Sequence, residues 1–500
     1  MLTSISSGFM DHSQGPLNRL PDLAVIAAYL VLITWFGARF KKNQRSLKDY
    51  FLGGRDAPWW AIAFSIVSAE TSTLTVIGTP ALSIAGNFTF LQLILGYLLG
   101  RIVISVLFLP QYFRGEMFTA YELMQRRFGP RVRKFTAATF LVLRALAEGV
   151  RVFAVSIVVS IVLGTGELTS IAVIVALTLF YTFEGGMTAV IWTDVVQMFL
   201  YVAGAVASFF VMLHLIPGGW QHVLSVGESA HKFQVFDFRF SVSPEFFKRT
   251  YSFWGGILGG CFLATASHGT EQLLVQRLLS ARTERDSRLA LFASWGVVFF
   301  QFVLFLFIGV LLYTISRDTG RPLPAVAERS YPEFVWTNLP AGVAGLVIAA
   351  IIAAAMSNLS AALNALASTT VMDFLRPLIP KRSEADYLAW ARWGTVGWGC
   401  ALFSIGLIAR HWGSVLEAGL SIASVLYGAL LGVFLLGVLT RKPGELAAIT
   451  GMTAGFTATL VLRSHVAYTW YVLIGSLVTF GVGYGAGLIL RERKPELANA

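Results

Sequence analysis

Residues 65–73 read Ser-Ile-Val-Ser-Ala-Glu-Thr-Ser-Thr, placing one carboxylate, Glu70, among five hydroxyls inside an otherwise apolar stretch. Oxygen atoms of this kind suit a hard cation, and a helix interrupted at 68–72 would add free backbone carbonyls to them. A second patch, residues 354–364, puts Ser357, Ser360 and Asn364 at i, i+3 and i+7, on one helical face among small residues. Uncharged oxygens from two such patches can cage a monovalent ion without fixing it in place. A blander reading stays open for both: hydroxyl and amide side chains also hold transmembrane helices together by hydrogen bonds.

Three further groups carry charge. Asp194 follows Glu184-Gly185-Gly186 by eight residues and sits in Trp-Thr-Asp-Val-Val-Gln. It reads either as a solvated interfacial carboxylate or as part of an ion exit path. Arg144, Glu148 and Arg151 share a helical face at i, i+4 and i+7 and can neutralise one another. The surplus guanidinium, for which Arg151 is the deeper candidate, could instead take an anionic substrate group in bidentate fashion. Gly255-Gly256 and Gly259-Gly260 precede Ser267-His268, and glycine-weakened helices at matching places in two halves of a transporter point to its binding site. His268 alone reads as a packing residue or as a proton carrier. No nucleotide loop, hydrolase or metalloprotease motif competes, so enzyme activity and a transition-metal site are not expected.

The elements that must position these groups are set by composition. Of 500 residues, 56% are hydrophobic and 13% charged, against about 25% charged in an ordinary soluble domain. The bilayer is therefore the solvent for most of the chain. Apolar stretches long enough to cross it fall at 23–39, 59–83, 88–109, 135–163, 171–183, 189–216, 253–266, 289–314, 341–368, 388–408, 415–439, 445–462 and 470–490. Thirteen spans place the termini on opposite sides. Arg39, Lys41, Lys42, Arg45, Lys48 and Arg55 follow the first span; Arg126, Arg127, Arg131, Arg133 and Lys134 follow the third; Arg277, Arg282, Arg285 and Arg288 follow the seventh. The positive-inside rule makes these loops cytoplasmic, with the N-terminus outside and the C-terminus inside. The net charge of +11 thus reports topology, not nucleic-acid binding. Cys261 and Cys400 lie in apolar segments and read as small core residues. The long connections 217–251 and 316–340 are expected outside and read as amphipathic, with short surface helices.

Taken in order, several segments resemble the sodium/solute symporter family, which includes sodium–proline, sodium–glucose, sodium–iodide, pantothenate and sialic acid carriers. They are Asp-Tyr-Phe-Leu-Gly-Gly-Arg at 49–55, Tyr121-Glu122 with Arg127-Phe128-Gly129, Glu184 to Gln197, Gly269-Thr270-Glu271-Gln272 through Gln276-Arg277, Ala353 to Ser360, and Gly432 to Gly437. The resemblance implies an all-α membrane protein with a leucine-transporter-type core of two inverted five-helix repeats. The chain then divides into a first helix and loop (1–57), a first repeat (58–216), a second repeat (251–440) and two C-terminal helices (441–500), all one membrane domain. The resemblance also implies a sodium site formed by backbone oxygens of Ser68, Thr71 and Ala354 and side chains of Ser357 and Asn358. Family members usually carry Ser or Thr where this chain has Asn358. Glu70 matches an Asp that proline carriers place beside sodium. A second cation site used by some relatives maps to Asp194, Ser357, Ser360 and Ala361, the last lacking the expected hydroxyl. Glu70, Arg151, Ser267 and His268 fall at positions resembling substrate contacts.

The expected function is sodium-coupled symport of a small organic solute across a bacterial-type inner membrane by alternating access, with Na+ as the co-transported ion. The partners expected are that solute and the lipid bilayer. An organic anion such as a carboxylate is favoured by Arg151. Proton coupling through Glu70 and a solute sensor on a transporter-like core are the alternatives.

Overall fold

The computed structural model describes residues 19–40, 46–115, 117–324, 326–409 and 415–490. Among them the chain is helical throughout and forms no β-sheet. The first crossing is α1 (Leu20–Ala38). The second is broken into α2 (Trp59–Glu70) and α3 (Thr73–Ala85), whose axes bend by 62° at Thr71–Ser72. Thr71 and Ser72 have extended backbones there (ψ 100° and 170°), so the last turn of α2 leaves carbonyls without intrahelical partners. Then come α4 (Leu91–Val103), which runs on through a π-helical turn to Tyr112, and α5 (Pro130–Leu163).

Residues 171–183 and 189–216 were expected as separate spans, but they belong to one helix, α6 (Glu167–Leu215), of 49 residues. No proline interrupts the stretch between its two apolar segments, Leu168–Phe180 and Met187–Leu215, and glycine weakens a helix without removing a hydrogen-bond donor.

The second half begins with α7 (Phe253–Gly269), which stops at Thr270–Glu271 and resumes as α8 (Gln272–Leu279). The paired glycines read as weakening this helix lie instead within unbroken α7. They let α7 approach α4 closely: a Cβ at Gly260 would lie 2.2 Å from the Leu93 carbonyl oxygen, and one at Gly96 2.5 Å from that of Ile257. The remaining helices are α9 (Glu284–Thr319), α10 (Val343–Thr369), α11 (Glu384–Ala409), α12 (Val415–Leu439), α13 (Glu445–Leu462) and α14 (Tyr471–Ile489). Helix α10 is the central shaft, buried along nearly its whole length and packed against α6, α5 and α11.

Among the described residues nine helices are long and apolar enough to cross a membrane, ten with the broken α2–α3 pair. The other three of the thirteen expected crossings fail on length or polarity. One is the first part of α6, one is α7, cut to 17 residues by its break, and one is α11 with its Trp and Gly content. The long connections do hold short helices, Gly219–Ser229, Pro244–Lys248 and Ser330–Asn338. Lys232, just beyond the first of these helices, donates from Nζ to the carbonyls of Ile84 (2.7 Å) and Gly86 (3.0 Å), closing the end of α3. Cys261 is half-buried and Cys400 exposed, so Cys400 faces out of the bundle rather than into its core. In a helix bathed by lipid, apolar neighbours do not tell the inner face from the outer.

Candidate functional site

The break in α2–α3 faces the middle of α10. Ser68 Oγ and Ser357 Oγ lie 2.6 Å apart, and Asn358 Nδ2 donates to the Ala69 carbonyl at 2.6 Å. Thr71 Oγ1 accepts from Gln301 Nε2 on α9 at 2.8 Å. Ala354, one turn before Ser357, is fully buried beside them. The structure therefore gathers Ser68, Thr71, Ala354, Ser357 and Asn358, residues from two segments nearly 300 positions apart. Asn358 is heavily engaged: its Oδ1 accepts from Arg144 Nη2 (2.8 Å) and Arg151 Nη1 (3.0 Å).

Asp194 joins the same group from α6. Its Oδ1 accepts from Ser357 Oγ at 2.6 Å, and its Oδ2 accepts from Ser65 Oγ and from Arg277 Nη2 at 2.8 Å. The carboxylate is 0% exposed, which excludes the solvated interfacial reading. Arg277 is the larger correction. Counted from sequence as a cytoplasmic loop charge, it lies on α8 with its side chain 1% exposed and ion-paired to Asp194. Ser360 donates from Oγ to the Ser357 carbonyl in its own helix.

Beside both breaks, on the side of the bundle where α3 ends, a cavity of about 140 Å³ opens, with Glu70, Tyr97, Arg151, Ser267, His268 and Glu271 in its wall. On one side Glu70 Oε2 accepts from Arg101 Nη2 at 2.7 Å and lies 3.1 Å from His268 Nε2, whose Nδ1 meets Ser267 Oγ at 2.8 Å. Glu70 Oε1 meets no partner among the described residues. On the other side Glu148 pairs with Arg144 (2.7 Å) and Arg151 (3.1 Å), while Glu271 accepts from Arg144 at 3.1 Å and from the Tyr427 hydroxyl. Three guanidinium groups thus balance three carboxylates around the cavity. A buried charge needs such a partner, since the bilayer interior offers no solvation.

The ion-pair ladder expected for Arg144, Glu148 and Arg151 is present, yet Arg151 remains 23% exposed and only its Nη1 meets a protein acceptor among the described residues. Arg101 and Tyr427 escaped the sequence reading, and Glu271 was noted only as part of a motif. A lone Arg inside an apolar span was the available signal for the first. For Glu271 it was a carboxylate at an interruption, the counterpart of Glu70. Among the described residues no cluster of three His, Cys, Asp or Glu side chains stands close enough to hold a metal ion.

Two interrupted helices facing each other across a polar cavity in the middle of a helical bundle define a secondary transporter. The chain belongs to the sodium:solute symporter family, whose sequence model matches residues 50–455. It is a sodium-coupled symporter and an integral membrane protein, and Na+ is its co-transported ion. It is 29% identical over 450 residues to the mouse sodium-coupled monocarboxylate transporter 1, covering 88% of this chain and 72% of that one. The sodium/sialic acid symporter NanT of Aliivibrio fischeri is 27% identical, with 94% of this chain and 93% of the relative covered. Among solved structures, the substrate-bound outward-open state of a Na+-coupled sialic acid symporter superposes with a TM-score of 0.85 at 25% identity, covering 94% of this chain and 98% of that one. A nucleobase-cation-symport-1 family transporter in a closed conformation shares the fold at 12% identity and a TM-score of 0.55, over 89% of this chain and 95% of its own.

Proposed function

We propose that this symporter imports a small organic anion bearing a carboxylate, together with one sodium ion per cycle, across a bacterial-type inner membrane. Sodium binds between α2 and α10, on the backbone oxygens of Ser68, Thr71 and Ala354, the Ser357 hydroxyl and the Asn358 amide. The observation that carries this reading is the interruption at Thr71–Ser72 lying against α10, with 2.6 Å between the Ser68 and Ser357 hydroxyls. Such a set of uncharged oxygens holds a hard monovalent ion while letting it leave.

The substrate lies in the cavity above. Its carboxylate meets the Nε–Nη2 edge of Arg151, which offers two parallel donors, and Glu70, Ser267 and His268 line the rest. The relatives named for monocarboxylates and for sialic acid are consistent with that chemistry. A second cation at Asp194 and Ser360 is disfavoured, because Arg277 already sets a positive charge 2.8 Å from the carboxylate and Ala361 brings no hydroxyl. The broken helices α2–α3 and α7–α8 are the first members of two inverted five-helix repeats, 58–216 and 251–440, flanked by 1–57 and 441–500. Thirteen crossings, with the two apolar segments of α6, Leu168–Phe180 and Met187–Leu215, counted as one each, then leave the N-terminus outside and the C-terminus in the cytoplasm.

Uptake into proteoliposomes tests the reading. Removing one ligand oxygen by S357A should raise the sodium concentration for half-maximal uptake about tenfold, the equivalent of about 1.4 kcal/mol. An unchanged sodium dependence rejects the cradle. Uptake driven by a pH gradient with no sodium present would replace sodium coupling by proton coupling through Glu70.

A further inference from the structure

We infer that Asn358 is the positioning residue that couples the two cargoes, handing Arg151 to the substrate when sodium arrives; this rests on the sodium cradle and the carboxylate substrate proposed above. Asn358 reaches both sites at once. Its Nδ2 donates to the Ala69 carbonyl at the end of α2, and its Oδ1 accepts from Arg144 and Arg151. An amide oxygen has two lone pairs, and both are used. A cation that draws on Asn358 Oδ1 must therefore displace one guanidinium.

The two arginines are not equally held. Arg144 also bonds Glu148 at 2.7 Å and Glu271 at 3.1 Å, and its side chain is 4% exposed. Among the described residues Arg151 has only one other bond, to Glu148 at 3.1 Å, and its side chain is 23% exposed into the cavity. Arg151 is the one that leaves. Freed from Asn358, the guanidinium can swing into the cavity and present its Nε–Nη2 edge to a carboxylate. The exchange also runs backwards: a carboxylate that draws Arg151 away releases Asn358 Oδ1 for sodium. Each ligand thus favours the state that the other requires, which is the thermodynamic condition for coupling. A serine at 358, the usual family residue, has one short hydroxyl and cannot span from Ala69 to both guanidinium groups.

Two measurements test this. Sodium chloride alone, against choline chloride, is added to purified protein, and phenylglyoxal modification of the peptide carrying Arg151 is read by mass spectrometry. Modification should rise severalfold with sodium in the wild type, and be high and indifferent to sodium in both N358S and N358A. Propionate uptake in proteoliposomes is then followed at low and saturating sodium. The wild-type KM for propionate should fall about tenfold with sodium, within the usual range of coupling, and by less than twofold in N358S. If sodium drives uptake but neither Arg151 modification nor the KM ratio depends on Asn358, the relay is wrong while the symport reading stands. If sodium leaves wild-type uptake unchanged, the cradle itself fails. If sodium drives uptake of other solutes but propionate and its homologues neither enter nor compete, the carboxylate assignment fails and the phenylglyoxal result alone decides the relay. Should N358A prove unstable, N358S carries both measurements.

Discussion

Glu70 keeps its place in an apolar span because Arg101 and His268 share one of its oxygens, and Arg101 has no contact with solvent. R101M would leave that carboxylate buried with only a histidine beside it. Removing one member of a buried pair costs about 3–5 kcal/mol, so thermal unfolding in detergent should shift to markedly lower temperature. The double variant R101M/E70Q should recover most of the loss, and an R101M protein as stable as the wild type would show that His268 alone suffices. Individual residues were unevenly legible. Glu70 announced itself as an acid in an apolar run, and Ser357 as part of a hydroxyl face. Arg277 was misread because the positive-inside rule assigns charge by nearness to a span, whereas its partner Asp194 stands 83 positions away in the chain. Arg151 was found, but its tie to Asn358 depends on packing that no local spacing encodes.

Helix ends need partners, and here one comes from a distant element. The first turn of α10, which holds the proposed sodium-cradle residues further along, receives no side-chain cap from its own sequence; Gly342 at its N-cap and Gly345 in that turn donate from their backbone N–H groups to Asp22 Oδ1, at 2.7 Å each. Asp22 belongs to α1 and is 0% exposed, so the peripheral first helix is fastened to the central shaft by a carboxylate at a helix N-terminus. D22A strands both donors and should cost about 1–2 kcal/mol, read as a lower unfolding midpoint. An unaltered midpoint would mean that water caps α10 equally well. The elements themselves were largely written in hydropathy: the expected and observed limits coincide for α13, as does the C-terminal limit of α12. Breaks were harder. The interruption before α3 was signalled by clustered hydroxyls and a carboxylate, but the one before α8 falls at Thr270–Glu271, where Gly269 is the sole helix-weakening residue beside it. The glycines that drew attention serve helix contact instead, and the fused α6 shows that Gly185-Gly186 does not by itself end a helix.

At the scale of the molecule, two broken helices stand on opposite sides of one cavity, and each break carries a carboxylate held by an arginine: Glu70 by Arg101 and Glu271 by Arg144. The arrangement matters for transport only if the cavity can be reached from one side and then the other, and that depends on which loops face the cell interior. With Arg277 removed from the count, Arg282 in the loop after α8 and Arg285 and Arg288 at the start of α9 remain, so the charge asymmetry behind the proposed orientation survives the correction. Single cysteines at exposed positions in a C261S/C400S background can decide it. Ser241, in the long connection before α7, and Arg282, between α8 and α9, are both exposed. In right-side-out vesicles a membrane-impermeant maleimide should label S241C and spare R282C, and inverted vesicles should reverse the pattern. The opposite labelling would turn the molecule over, placing the cavity's present mouth in the cytoplasm and making the conformation described here the one that releases cargo.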